Sequence, residues 1–100
     1  MPALNAYQAD VLTWLGKVAP TAQLSSDSRT IAEGDVFFAY PGDDADGRKF
    51  IAHAIQQGAK AVLYDADGFG WNDTWTVPHL AVAGLRRNAG LTVRGYYGQP

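Results

Sequence analysis

Five consecutive apolar residues, Val36-Phe37-Phe38-Ala39-Tyr40, constrain the architecture of this chain more than any other segment. A strand with one wet face alternates apolar and polar side chains. A run without alternation needs cover on both faces, as in a parallel sheet packed under its connections. A second such run, Ala61-Val62-Leu63-Tyr64, follows a stretch that places Phe50, Ile51, Ala54 and Ile55 at helical spacing, with Gly58 positioned to end the helix. Two buried strands joined by a helix predict a right-handed parallel crossover. The 100 residues suit one domain, which at this size buries roughly 60–65% of its unfolded surface around a single core.

The remaining segments complete the pattern. Leu4, Tyr7, Val11, Trp14, Leu15 and Val18 recur at spacings of three and four, which predicts a helix over 4–18 that Pro20 stops. Gln23 to Thr30 reads as a short strand running into a loop, and Glu33-Gly34-Asp35 as a turn. Asp46 is placed to cap the second helix. The segment 65–73 reads as a surface loop. Val77 to Val82 predicts a further strand, with Pro78 at its start or at a sheet edge. Leu85, Ala89, Val93 and Tyr96 predict a closing helix over 85–97, against the cost of Gly90 and Gly95. The expected class is α/β, a small, mostly parallel sheet of about four strands flanked by helices.

Composition excludes several function classes. Lys and Arg number 8 against 10 Asp and Glu, for a net charge of −2, with no basic run. Nucleic acids and anionic membranes both require clustered positive charge, so neither is an expected partner. No cysteine is present, which removes disulfides and thiolate metal sites. No apolar run approaches the ~20 residues of a membrane span, and the first eight residues lack the pattern of a signal peptide. A cytoplasmic domain is the expectation.

The usual catalytic signatures are missing. There is no Gly-x-x-x-x-Gly-Lys-Ser/Thr to hold a triphosphate. Gly68-Phe69-Gly70 lacks the third glycine of a dinucleotide fingerprint. A calcium loop centred on Gly47 would begin at Gly42 and end at His53. One centred on Gly68 would begin at Leu63 and end at Thr74, and neither frame supplies the two terminal acids. His53 and His79 read as packed or half-exposed side chains. Ser28 has no nucleophile-elbow context. No catalytic residue and no metal ligand is therefore assigned.

Two polar loops remain, Ser25-Ser26-Asp27-Ser28-Arg29 and Gly42-Asp43-Asp44-Ala45-Asp46-Gly47-Arg48-Lys49. Ligands of open α/β sheets settle beyond the carboxyl ends of strands, where such loops diverge. A helix N-terminus favours an anion, but three aspartates oppose one here. A neutral hydrogen-bonding group such as a base edge suits the residues better. The alternative is that Asp27, Ser28 and Asp46 serve only as turn and cap residues. Trp71 and Trp75 carry two readings as well, an anchor for a partner protein or packing on their own domain.

The same loops carry a family resemblance. Asp27-Ser28-Arg29, Gly34-Asp35-Val36-Phe37-Phe38-Ala39, Gly42, Ala45-Asp46-Gly47-Arg48, Phe50-Ile51, Ala54 and Gly58-Ala59 follow one another in an order that resembles the N-terminal domain of the Mur ligases. Tyr96-Tyr97-Gly98-Gln99-Pro100 is similar to the family's lead into its ATPase domain. Within the family the chain is most similar to the MurE type, which adds diaminopimelate or lysine to UDP-N-acetylmuramoyl-L-alanyl-D-glutamate. The MurF type shares part of the pattern, and a stand-alone α/β binding module is the other alternative.

The resemblance implies that the domain holds the uridine-diphosphate end of the substrate and is inactive alone. ATP and Mg²⁺ would be bound by a central domain, and the incoming amine presented by a C-terminal one, both beyond these 100 residues. Carried over by position, Ser26, Ser28, Asp43, Asp44 and Ala45 would contact the UDP-sugar. Ser26 stands where an apolar residue is common, and Asp43-Asp44 where a less acidic pair is. Either aspartate would accept the uracil N3–H and so discriminate against cytosine. Arg29 is either a diphosphate contact or the structural partner of Asp27 or Asp35. Arg48 is a further candidate contact.

Overall fold

The structure, a computed structural model, describes residues 6–20, 22–42 and 45–85. Four strands form one sheet: β1 (Leu24–Ser25), β2 (Val36–Ala39), β3 (Ala61–Asp65) and β4 (His79–Val82). They lie in sequential order and every neighbouring pair is parallel. Helix α1 (Ala6–Val18) precedes the sheet, and α2 (Ile51–Gln56) joins β2 to β3. The protein is an α/β domain of the expected class. The expected closing helix over 85–97 lies outside the described residues beyond Leu85, whose side chain is fully buried.

Each buried run serves both faces of the sheet. Val36, Phe38, Ala61, Leu63 and Val82 face Val11, Leu15 and Ala19 of the α1 segment and Leu85. Phe37, Ala39, Val62 and Tyr64 face Ile31, Ile51, Ala54 and Ala59. Ile31, α2 and the segment after β3 belong to the three successive connections, and all pack on this second face. A sequential order of parallel strands requires that arrangement when the crossovers share one hand.

Two of these connections contain no α-helix, in line with the loops read there from the sequence, although a helix usually joins parallel pairs. A single 3₁₀ turn (Ser28–Thr30) lies between β1 and β2. The β3–β4 connection is irregular and covers the sheet with aromatic rings. Phe69, Trp71, Trp75 and Val77 pack on the second core. Trp71 stacks on Tyr64 at 5.1 Å and on His79 at 3.8 Å, and its Nε1 donates to the Trp75 carbonyl at 3.1 Å. Both tryptophans are half-buried on their own domain, which favours the packing reading over the anchor. Strand β4 starts at His79, two residues later than Val77, with the imide residue Pro78 just before it. The Pro78 carbonyl still accepts from Val62 N–H at 3.0 Å.

The second helix also begins differently. A 3₁₀ turn (Gly47–Phe50) comes first, and Asp46 caps it by accepting from Arg48 N–H at 3.0 Å. Phe50, expected on the buried side with Ile51, Ala54 and Ile55, is 43% exposed. The 3₁₀ turn has three residues per turn rather than 3.6, so the α-helical phase does not extend back to Phe50. Gly58 ends α2 with φ of +105°, and its carbonyl accepts from Gly34 N–H at 2.9 Å.

Candidate ligand-binding cleft

A cleft of about 660 Å³ opens beyond the carboxyl ends of β1 and β2. One wall is the segment Ser26–Arg29, whose shape follows from its short polar side chains. Ser25 Oγ accepts from Asp27 N–H at 3.1 Å and lies 2.9 Å from Thr30 Oγ1. Asp27 caps the 3₁₀ turn through Arg29 N–H at 2.9 Å and holds the same residue's guanidinium at 3.0 and 2.9 Å. These bonds leave Ser28 pointing inward, 6% exposed. Its Oγ lies 3.1 Å from Nδ1 of His53 on α2.

The opposite wall is the loop after β2. Gly42 N–H donates to the Ala45 carbonyl at 2.8 Å and Gly47 N–H to the Tyr40 carbonyl at 2.9 Å, which folds the loop back on itself. A Cβ at Gly47 would meet the Tyr40 carbonyl oxygen at 2.9 Å, so only glycine fits there. Tyr40, Gly42, Ala45, Gly47, Phe50 and His53 complete the lining.

The charges of the walls are paired locally. The Asp27 carboxyl is held below the usual aspartate range, chiefly by the Arg29 side-chain hydrogen bond, and Arg29 is raised in return. Asp46 is likewise lowered, first by the Arg48 side-chain hydrogen bond, and Arg48 is raised chiefly by the same bond.

Of the residues singled out in the sequence, Ser26, Ser28, Arg29 and Ala45 line one cleft. Asp43 and Asp44 lie outside the described residues. Arg29 adopts the structural pairing with Asp27 while also lining the cleft. Asp35 is not its partner, and accepts from Ala32 N–H instead. Arg48 does not line the cleft. Its guanidinium binds Asp46 and the carbonyls of Asp65 and Asp67, and its Cζ lies 5.2 Å from the Phe69 ring centre. The candidate contact is thus a brace between loops. Tyr40, Phe50 and His53 were missed. The spacing of Phe50 and His53, three apart, was the available signal that they share a face. Among the described residues, no group of three or more His, Asp or Glu is placed to hold a metal ion.

A parallel sheet with a cleft beyond two adjacent strand ends defines the class: an α/β domain with a candidate ligand site at the strand ends. The model of the Mur ligase family, catalytic domain, matches residues 21–96, and the chain belongs to the Mur ligase family. It is 54% identical to the UDP-N-acetylmuramoyl-L-alanyl-D-glutamate--2,6-diaminopimelate ligase of Janthinobacterium sp. (strain Marseille), over 92% of this chain and 18% of that protein. It is 44% identical to the enzyme of the same name from Chromobacterium violaceum, over 100% of this chain and 20% of that protein. The chain therefore spans about a fifth of the length of these curated relatives.

Solved structures agree on the fold. The MurF ligase from Thermotoga maritima in complex with ADP superposes with a TM-score of 0.55 and 27% identity, covering 73% of this chain and 16% of its own. MurF from Acinetobacter baumannii, 20% identical, superposes with a TM-score of 0.58 over 79% of this chain and 19% of its own, a likeness of fold alone.

Proposed function

We propose that this domain binds the uridine-diphosphate end of UDP-N-acetylmuramoyl-L-alanyl-D-glutamate for a MurE-type ligase that adds the third peptide residue in peptidoglycan precursor synthesis. In this reading the domain acts in the cytoplasm and performs no chemistry itself. Central and C-terminal domains beyond the chain bind ATP and Mg²⁺, activate the substrate carboxylate and present the amine. The curated relatives at 54% and 44% identity carry the MurE-type name, which favours that type over MurF.

One observation carries the reading: Ser26, Ser28, Arg29 and Ala45, drawn from separate loops, line a single cleft beyond the carboxyl ends of β1 and β2. Two hydroxyls and an exposed guanidinium suit phosphate and sugar oxygens. The exposed ring of Phe50 supplies a face on which a base would stack, a contact worth about 1–3 kcal/mol. Asp43 or Asp44 would accept the uracil N3–H. Among the described residues no helix is long and apolar enough to cross a membrane.

Equilibrium binding to UDP-N-acetylmuramoyl-dipeptide tests the proposal, with the CDP analogue and inorganic phosphate as controls. The expected Kd lies between roughly 10 μM and 1 mM, with the controls weaker by about tenfold or more. Equal affinity for the CDP analogue, or no saturation at millimolar ligand, would refute it.

A further inference from the structure

We infer that His53 is a positioning residue: it turns the Ser28 hydroxyl into a donor aimed at an anionic diphosphate oxygen, and does so best when the imidazole is protonated. This rests on the nucleotide reading of the cleft.

The pairing itself is the observation. Ser28 Oγ is buried yet borders the cleft, and His53 Nδ1 lies 3.1 Å from it across 25 positions of sequence. His53 is otherwise exposed, and its Nε2 has no partner among the described residues. A hydroxyl has one proton to donate. When Nδ1 carries no proton it accepts that of Ser28, and only oxygen lone pairs then face the ligand. When Nδ1 is protonated it donates to Oγ, and the serine proton is released towards the cleft. The imidazolium meets both demands, holding Ser28 through Nδ1 and offering Nε2–H as a second donor. A diphosphate oxygen accepts and never donates, so it selects this state by its differential affinity.

Neighbouring groups leave the pair intact. The Ser28–Thr30 turn brings Asp27 and Arg29, which are bonded to each other. The Gly47–Phe50 turn brings Asp46 and Arg48, also mutually bonded, and the exposed Lys49. Tyr40 follows β2 and lines the same cleft. The Arg29 side chain is 83% exposed, and it lines the same cleft as Ser28.

Calorimetry of the chain with UDP-N-acetylmuramoyl-dipeptide is run at about pH 6 and about pH 8. The diphosphate bridge of that ligand keeps one charge state across the interval. Wild-type affinity should rise about five- to tenfold at the lower pH. His53→Ala should lose about tenfold at pH 6 and show a flat profile. His53→Gln, which still bonds Ser28, should recover part of the pH 8 affinity and also be flat. Uridine, which has no phosphate, should bind every variant alike and independently of pH. A flat wild-type profile, a pH response kept in His53→Ala, or an equal loss for uridine would overturn the inference alone. A wild-type chain that binds neither ligand would overturn the nucleotide reading too.

Discussion

Arg48 Nη1 donates to the backbone carbonyl of Asp65 at 3.0 Å, joining the turn after the cleft loop to the end of β3. The same side chain, 10% exposed, forms an ion pair with Asp46 at 2.8 Å. One guanidinium thus holds together the loop that walls the cleft and the strand beside it.

Arg48→Ala should destabilise the domain by about 2–3 kcal/mol, because the part-buried Asp65 carbonyl and the Asp46 carboxylate lose a charged donor. Arg48→Lys should recover less than half, since an ammonium cannot reproduce the planar fork. Urea denaturation midpoints give both values. An Ala variant within about 0.5 kcal/mol of wild type would show that the brace carries no weight.

The Asp46 carboxyl lies below its ordinary range, chiefly through Arg48. A lowered folded value means that the stabilisation is complete well above the unfolded value of about 3.9 and is lost as pH falls from there through the lower folded value. Asp46→Asn keeps a capping oxygen but not the charge. Its Tm should lie below wild type near pH 7, and the gap should begin to narrow below about pH 5 and close only once the pH is under the lowered folded value. A gap that persists at low pH would contradict the assignment.

Much of the fold was legible because its signals are local. The unbroken apolar runs at 36–40 and 61–64 demanded cover on both faces, and α1 on one face and the connections on the other supply it. Asp46 and Gly58 announced the limits of the second helical segment through capping chemistry. Phe50 was misread because α-helical phase was carried into a 3₁₀ turn. The β3–β4 connection was read as a surface loop, since irregular backbone with aromatic cover has no period to detect. Ser28 was singled out in the sequence, but its partner His53 is 25 positions away, a distance that local pattern does not register.

Gly58 shows how far a local reading can be pressed. Its φ is +105°, and a Cβ there would meet the Glu33 Cα at 2.8 Å. Gly58→Ala should therefore cost about 2–4 kcal/mol, combining left-handed strain with a backbone clash. Thermal or urea unfolding measures it, and a loss below about 1 kcal/mol would mean that the turn relaxes easily.

Trp71 substitutes for a crossover helix, stacked on both Tyr64 and His79. Trp71→Ala should cost about 2–3 kcal/mol and leave affinity for the UDP-sugar within about twofold, since the residue does not line the cleft. A stable variant that binds poorly would reverse this assignment.

Chemical-shift mapping tests the central claim most directly. The ¹⁵N-labelled chain is titrated with UDP-N-acetylmuramoyl-dipeptide, then with its CDP analogue and with phosphate. The account predicts saturable shifts clustered on residues 26–29, 43–47, Phe50 and His53 with the uridine ligand, and weak or no shifts with the controls. Saturable shifts centred elsewhere, or none at millimolar ligand, would contradict it.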